Sequence, residues 1–130
     1  MVKKVKKKKM RKRKRNNVKH ATSSDMWSLY HVNVNNLDSR YLSLKSILAN
    51  NKYSVVTINE THLQSQRKVE LPDYLTYSTN RVERNAGGIA TAVEMSDAAN
   101  CVRVEVGTDN NEYIVTRHDQ FEVPINVINM

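Results

Sequence analysis

Twelve of the chain's 21 Lys and Arg fall within residues 1–24, and no Asp or Glu stands among them. Like charges at that density repel one another, and only Val2, Val5, Met10 and Val18 offer apolar surface there. Such a segment cannot bury enough to offset the entropy of ordering it, so residues 1–24 read as a disordered basic tail. Whatever folds must come from residues 25–130. That body holds the other nine basic residues and all 13 acids, a net −4 against +12 for the tail. The overall +8 and the pI near 9.7 therefore describe the tail and not the fold. The body is long enough for one modest hydrophobic core.

Several classes are excluded on composition. A single cysteine, Cys101, permits no intramolecular disulfide framework and no cysteine-rich zinc site. No apolar run approaches the roughly 18 residues that a helical membrane span needs. The basic N-terminus lacks the apolar stretch of a secretory signal and the amphipathic pattern of a transit peptide. These features lead us to expect a nuclear protein, or otherwise a cytoplasmic one, with no membrane partner. The block Lys6, Lys7, Lys8, Lys9, Arg11, Lys12, Arg13, Lys14 and Arg15 has the composition of a nuclear-import signal or a phosphate-contacting arm. The same composition fits a solvated tail with no specific partner.

The body opens with Trp27–Val34, where apolar and polar residues alternate as in a strand. Asn35, Asn36 and Asp38 then supply capping chemistry for a helix over Asp38–Ala49. Its apolar stripe is Tyr41, Leu44 and Leu48, flanked by Leu42 and Ile47. Tyr53–Ile58 is a short β-branched run suited to a buried strand. Strand, helix and strand together make a crossover unit whose two strands lie parallel in one sheet. Beyond it the helical period disappears. Leu71-Pro72-Asp73 reads as a turn, Tyr74–Ser78 and Ile89–Val93 as strands, and Asn85–Gly88 as the tight turn before the second of them. Asn100–Val106, Glu112–Arg117 and Pro124–Ile128 alternate, with a hairpin loop at Gly107–Asn111. The fold class is therefore α+β: one βαβ unit followed by a mostly antiparallel meander. A single sheet with one helix would leave its other face uncovered, and Glu122–Met130 reads as a strand in mid-course. Both features lead us to expect part of a larger domain.

The two parallel strands run into Asn33 and Asn35, and into Asn59-Glu60-Thr61-His62. Functional groups in such sheets gather beyond the carboxyl ends of adjacent strands. A carboxylate flanked by amides there is a set of oxygen donors suited to a hard cation such as Mg²⁺, with Mn²⁺ as a substitute. Taken alone, the same residues read more readily as turn and loop positions. Trp27 and the tyrosines read more readily as core than as base-stacking platforms, and Cys101 as a small core residue. The four histidines show no metal-ligand spacing.

The order of the pieces narrows the choice. Val32-Asn-Val-Asn-Asn-Leu37, a helix, Val55-Val-Thr-Ile-Asn-Glu-Thr-His-Leu63, Leu71-Pro-Asp-Tyr74, Arg81 to Arg84 and Gly87-Gly-Ile-Ala90 follow in sequence. Together they resemble the N-terminal half of the endonuclease/exonuclease/phosphatase superfamily. The Glu-Thr-His-Leu form, the Pro-x-Tyr and the Arg-x-x-Arg-x-x-Gly-Gly stretch look most like the endonucleases of LINE-type retroelements. The resemblance covers roughly Trp27–Met130 and implies half of a four-layer α/β/β/α sandwich that nicks DNA with the help of Mg²⁺. It implies Glu60 as a metal ligand, Asn33 as an organiser of the metal and its hydrogen bonds, and Asn35 near the metal. It also makes Arg84 a candidate phosphate contact and the Gly87-Gly88 pair a structural turn. Asn59, Asn36 and Ala86 depart from the usual Gln, Gly and Gly. The family's later Tyr, Asp-x-Asn and Asp-His have no counterpart in this chain, and His118-Asp119 is no substitute for the last pair. The resemblance thus implies a weakly active or inactive fragment. A binding protein acting through its tail, or a degenerate retroelement relic, are the alternatives.

Overall fold

A computed structural model describes residues 26–64, 67–80, 87–107 and 112–130, with the backbone alone at 102 and 103. The basic tail, Arg84 and Ala86 lie outside the described residues, as do most of the two loops expected at 85–88 and 107–111.

Strand β1 spans Leu29–Asn33, helix α1 Leu37–Asn50 and strand β2 Val55–Asn59. β1 and β2 pair in parallel from Leu29 opposite Val55 to Asn33 opposite Asn59. α1 is the crossover between them. It buries Leu37, Leu44 and Leu48 against the sheet, with Tyr41 packed alongside, and each buried leucine stabilises by about 1.5–3 kcal/mol. Leu42 and Ile47 do not join this stripe: Leu42 is 78% exposed and Ile47 lies at the surface. Each stands one residue off a stripe position, which turns its side chain to another helix face. The expected cap is corrected too. Asn36 occupies the N-cap position but makes no side-chain capping bond. Instead the Leu37 N–H donates to the Thr61 carbonyl at 2.9 Å, so the β2 end satisfies the helix start. At the other end the Asn51 N–H closes the helix, donating to Ile47 O at 2.9 Å.

β3 spans Tyr74–Thr79 and β4 Ile89–Glu94. β4 inserts between β2 and β3, antiparallel to both, so the first sheet runs β1-β2-β4-β3. A four-residue helix, α2 (Met95–Ala98), which the sequence pattern did not indicate, leads into β5 (Cys101–Val106), β6 (Ile114–His118) and β7 (Ile125–Asn129). These three form a separate antiparallel sheet. The expectation of one sheet with a bare face is corrected here: the second sheet packs on the face of the first that α1 leaves open, through β3 and β4. The result is three layers, helix on sheet on sheet. The strand phase of β1 also differs from the reading by alternation. Tyr30, Val32 and Val34 face the helix-side core, whereas Leu29 is 44% exposed.

The two seams have different chemistry. Between α1 and the first sheet lie Val56, Ile58, Ala90, Ala92 and Leu44, all apolar. Between the sheets, Val55, Val93, Ile114 and Val127 are interleaved with buried Thr57, Thr91, Thr116, His118 and Asn129. Asn129 finds its partners across the seam, whereas Thr57 and Thr116 find theirs within their own sheets. Asn129 donates its amide to Ala90 O at 2.9 Å, and His31 Nδ1 stands 2.7 Å from the Thr57 hydroxyl. The aromatic residues serve packing, as expected. Tyr30 and Tyr53 stack at 4.8 Å, and Trp27 sets its edge against His118 and Phe121.

Candidate metal centre at the strand ends

Past the last paired residues of β1 and β2 the two chains stay joined. Val34 N–H donates to Asn59 O at 3.0 Å and Asn36 N–H to Glu60 O at 2.8 Å. A third segment closes on them: Thr61 N–H donates to Gly88 O at 3.1 Å and His62 N–H to Gly87 O at 2.8 Å. The corner before α1, the β2 end and the entry to β4 are thus held together by backbone hydrogen bonds.

Holding that shape requires unusual backbone. Asn35 (φ 44°), Asn36 (φ 92°), Glu60 (φ 58°) and His62 (φ 53°) all lie in the positive-φ region, which disfavours residues with a Cβ. Only Asp73 joins them among the described non-glycine residues. Strain gathered in this way costs on the order of 1–3 kcal/mol per residue and marks segments whose geometry is used. Two of the four are asparagines, a residue type that takes positive φ more often than most. Gly88 is held at φ 84°, and a Cβ there would collide with the hydroxyl of fully buried Thr61. The glycine pair is structural, as its sequence context implied.

The residues predicted as oxygen donors lie on adjacent segments at this end. Asn33 and Asn59 are register partners, and Val34 faces the helix, so both asparagines point to the inter-sheet side. Asn33 Oδ1 accepts from Asn35 N–H at 3.1 Å, which draws Asn35 back over the strand end. An amide oxygen has a second lone pair, so this bond leaves Asn33 able to ligate. Glu60 follows on the neighbouring strand with its carboxylate 44% exposed. His62 Nε2 donates to Glu60 Oε2 at 2.7 Å. His62 is the participant that sequence spacing missed. A residue two along from a carboxylate in a strand would share its face, but nothing in the letters shows that both sit at positive φ in a loop. Asn59 donates its amide to the Met130 carbonyl at 3.0 Å, so the end of β7 also arrives here.

Among the described residues no three His, Cys, Asp or Glu side chains cluster to hold a metal. Any cation at this end therefore depends on one carboxylate and neutral amide oxygens. That donor set fits Mg²⁺, which is bound through one or two carboxylates and keeps several of its waters. His118 lies elsewhere. Ile114, not His118, is the β6 residue paired with Asn129, which puts His118 at the opposite end of the sandwich. It is fully buried there beside the Thr116 hydroxyl. Burial pushes its pKa below the usual 6.5, with the Asp97 charge pulling in the other direction. His118-Asp119 accordingly contributes nothing to the strand-end site.

No family model matches the chain, and no curated protein matches it in sequence. Solved structures do match in shape. AP endonuclease LMAP from Leishmania major superposes with a TM-score of 0.68 at 15% identity, over 79% of this chain and 39% of that one. The fold is that of part of an AP endonuclease. An AP endonuclease from Archaeoglobus fulgidus matches with a TM-score of 0.58 at 23% identity, over 79% of this chain and 40% of that one. The 3′ phosphatase NExo from Neisseria, solved with a product DNA hairpin, gives 0.60 at 17% identity, over 79% and 40% of the two chains. The chain thus spans about two-fifths of the length of these AP endonuclease-like structures. Its three layers correspond to part of their sandwich.

Proposed function

We propose that this chain is part of a Mg²⁺-dependent phosphodiesterase of retroelement type, one that nicks DNA. The observation that carries this reading is the placement of Asn33, Asn35 and Glu60 on adjacent segments at one strained strand end of an AP endonuclease-like fold. Glu60, Asn33 and Asn35 would hold the metal, whose positive charge would offset the charge developing on a phosphodiester. The chain's own residues bind and orient. The glycine pair fixes the β2 end through Thr61 and His62, and Arg84, where the sequence places it, would contact phosphate. The Glu-Thr-His-Leu form at Glu60–Leu63 supports the retroelement branch. The groups that would move protons, a Tyr, an Asp-x-Asn and an Asp-His, have no counterpart here. Acid–base and electrostatic contributions of this kind are each worth about 10²-fold or more, so the 130 residues alone should nick DNA weakly or not at all.

Nicking of supercoiled plasmid in Mg²⁺ tests this. We expect no nicking by the 130-residue chain. Robust nicking that EDTA and Glu60→Ala both abolish would refute the inactivity of the chain while keeping its metal site. Sequencing the transcript beyond the codon for Met130 tests the parent. A frame that continues into the Tyr, Asp-x-Asn and Asp-His supports the enzyme reading, and an immediate stop codon favours a relic.

The +12 tail favours a second reading, in which the chain binds nucleic acid without catalysis. Contacts of this sort release counterions and weaken steeply with salt. Deleting residues 1–19 should then abolish binding, whereas binding that survives would place the contact in the body. Fusing residues 1–24 to a fluorescent protein tests nuclear import by the same segment.

A further inference from the structure

The peptide joining Gly87 to Gly88 has little within its own chain to restrain it. Both glycines sit at positive φ, 83° and 84°, and neither carries a Cβ to limit rotation of the plane between them. That plane is nonetheless held from both sides. Its carbonyl, from Gly87, accepts the His62 N–H at 2.8 Å, and its N–H, from Gly88, donates to Glu112 Oε1 at 3.1 Å. A trans peptide is planar with its C=O and N–H pointing in opposite directions, so fixing one aims the other. Gly88 is buried and precedes Ile89, the first paired residue of β4, so no strand neighbour supplies this acceptor. It comes from the second sheet. Glu112 stands two residues before Ile114, which pairs with Asn129, and the next residue, Met130, is the one that Asn59 reaches. Glu112 has a further interaction as well, so its side chain is not held by this bond alone.

We propose that Glu112 is a positioning residue for the candidate metal centre, a clamp on the Gly87-Gly88 peptide that keeps the Glu60–His62 segment in place. The inference rests on the reading of Glu60 as a metal ligand given above. Few steps separate the two carboxylates. Glu112 aims the peptide, the peptide's carbonyl holds His62, and Gly88 O holds Thr61 at 3.1 Å. Glu60 is joined to Thr61 and sits at φ 58°, a conformation that a residue with a Cβ keeps only where its surroundings enforce it. Asn33, Asn35 and Glu60 belong to the first sheet and its loops. Through Glu112 the second sheet sets the geometry of a site to which it gives none of these donors. The clamp needs an acceptor oxygen, which the amide of Gln also has.

The test is amide hydrogen exchange by NMR on the full 130-residue chain without metal, then Mg²⁺ titration of the same samples. The natural chain, Glu112→Ala and Glu112→Gln are compared, with the Val56 and Ala92 amides as internal reference. We expect Glu112→Ala to speed exchange at Gly88 and His62 about 10-fold, as an unmade buried hydrogen bond should, with Val56 and Ala92 unchanged. Its Mg²⁺ affinity should fall about 10-fold, the low end of what losing a group that supports a ligand costs. Glu112→Gln should keep both natural values. Unchanged exchange at Gly88 and His62 in Glu112→Ala would overturn the clamp. Equal acceleration at Val56 and Ala92 would reduce Glu112 to a general stabiliser and likewise overturn it. Glu112→Gln as damaged as Glu112→Ala would show that charge and not the acceptor matters, against the proposal. Local acceleration with unchanged Mg²⁺ affinity would overturn the link to the metal centre. The expected exchange pattern with no Mg²⁺ binding even by the natural chain would uphold the clamp and overturn the metal reading.

Discussion

The first sheet meets two different neighbours across its two faces. On the α1 side Val56, Ile58, Ala90 and Ala92 meet leucines. On the other side Thr57 and Thr91 face a second sheet that contributes Thr116, His118 and Asn129, each nearly or wholly buried. The apolar seam is held by transfer and packing, which tolerate many shapes. The polar seam is held only while its hydrogen bonds are made, because an unpartnered buried group costs about 1–3 kcal/mol. The difference is also positional. Asn33 and Asn59 lie on the polar side of the sheet, so the seam that demands partners runs out into the candidate metal centre. The apolar seam holds the frame on which that candidate site sits.

Mutations can break this contrast, the most damaging first. Ile58→Ala opens a cavity in the apolar seam at a fully buried site, and should cost about 2–5 kcal/mol in urea denaturation. Asn129→Ala, in the polar seam, removes the donor to Ala90 O, and about 1–3 kcal/mol is expected from the same measurement. Thr91→Val should do far less, because its hydroxyl shares Asn129 with two carbonyls and is the most distant of the three at 3.5 Å. A Thr91→Val variant as damaged as Asn129→Ala would show that the seam depends on the hydroxyl network and not on the amide. Gly88→Ala bears on the site end, where a left-handed backbone and the Thr61 hydroxyl both oppose a Cβ. A loss of about 1–2 kcal/mol is expected from the backbone alone.

The smallest effect is a pH dependence. Burial depresses the His118 pKa below its usual 6.5, so the unfolded chain takes up a proton more readily than the folded one. Its contribution is complete above about pH 6.5 and is lost as the pH falls through the folded-state value. The urea midpoint of the natural chain should therefore drop between pH 7 and pH 5 by more than that of His118→Leu. Parallel profiles would mean that other groups govern the acid limb.

How much of this was legible in the letters depends on whether the signal was local. The βαβ unit was, because Val55–Ile58 and the Leu44/Leu48 spacing carry their own periods, and the placement of Asn33, Asn35 and Glu60 at and beyond the strand ends came with it. The division of the later strands into two sheets was not, since alternation shows that a strand has two faces but not which partner covers each. Thr91 and Thr116 mislead for the same reason: they alternate with apolar residues as surface positions do, yet both are buried. The bond between His62 and Glu60 was invisible because it depends on two left-handed residues that only the surrounding hydrogen bonds enforce.

The most direct test of the account is a Mg²⁺ titration of the ¹⁵N-labelled chain, read through its amide resonances. Shifts confined to Asn33–Leu37 and Glu60–His62, absent in Glu60→Gln, are the predicted result. Shifts that stay away from this end, or that persist in Glu60→Gln, would contradict the placement of a divalent cation at the strand ends.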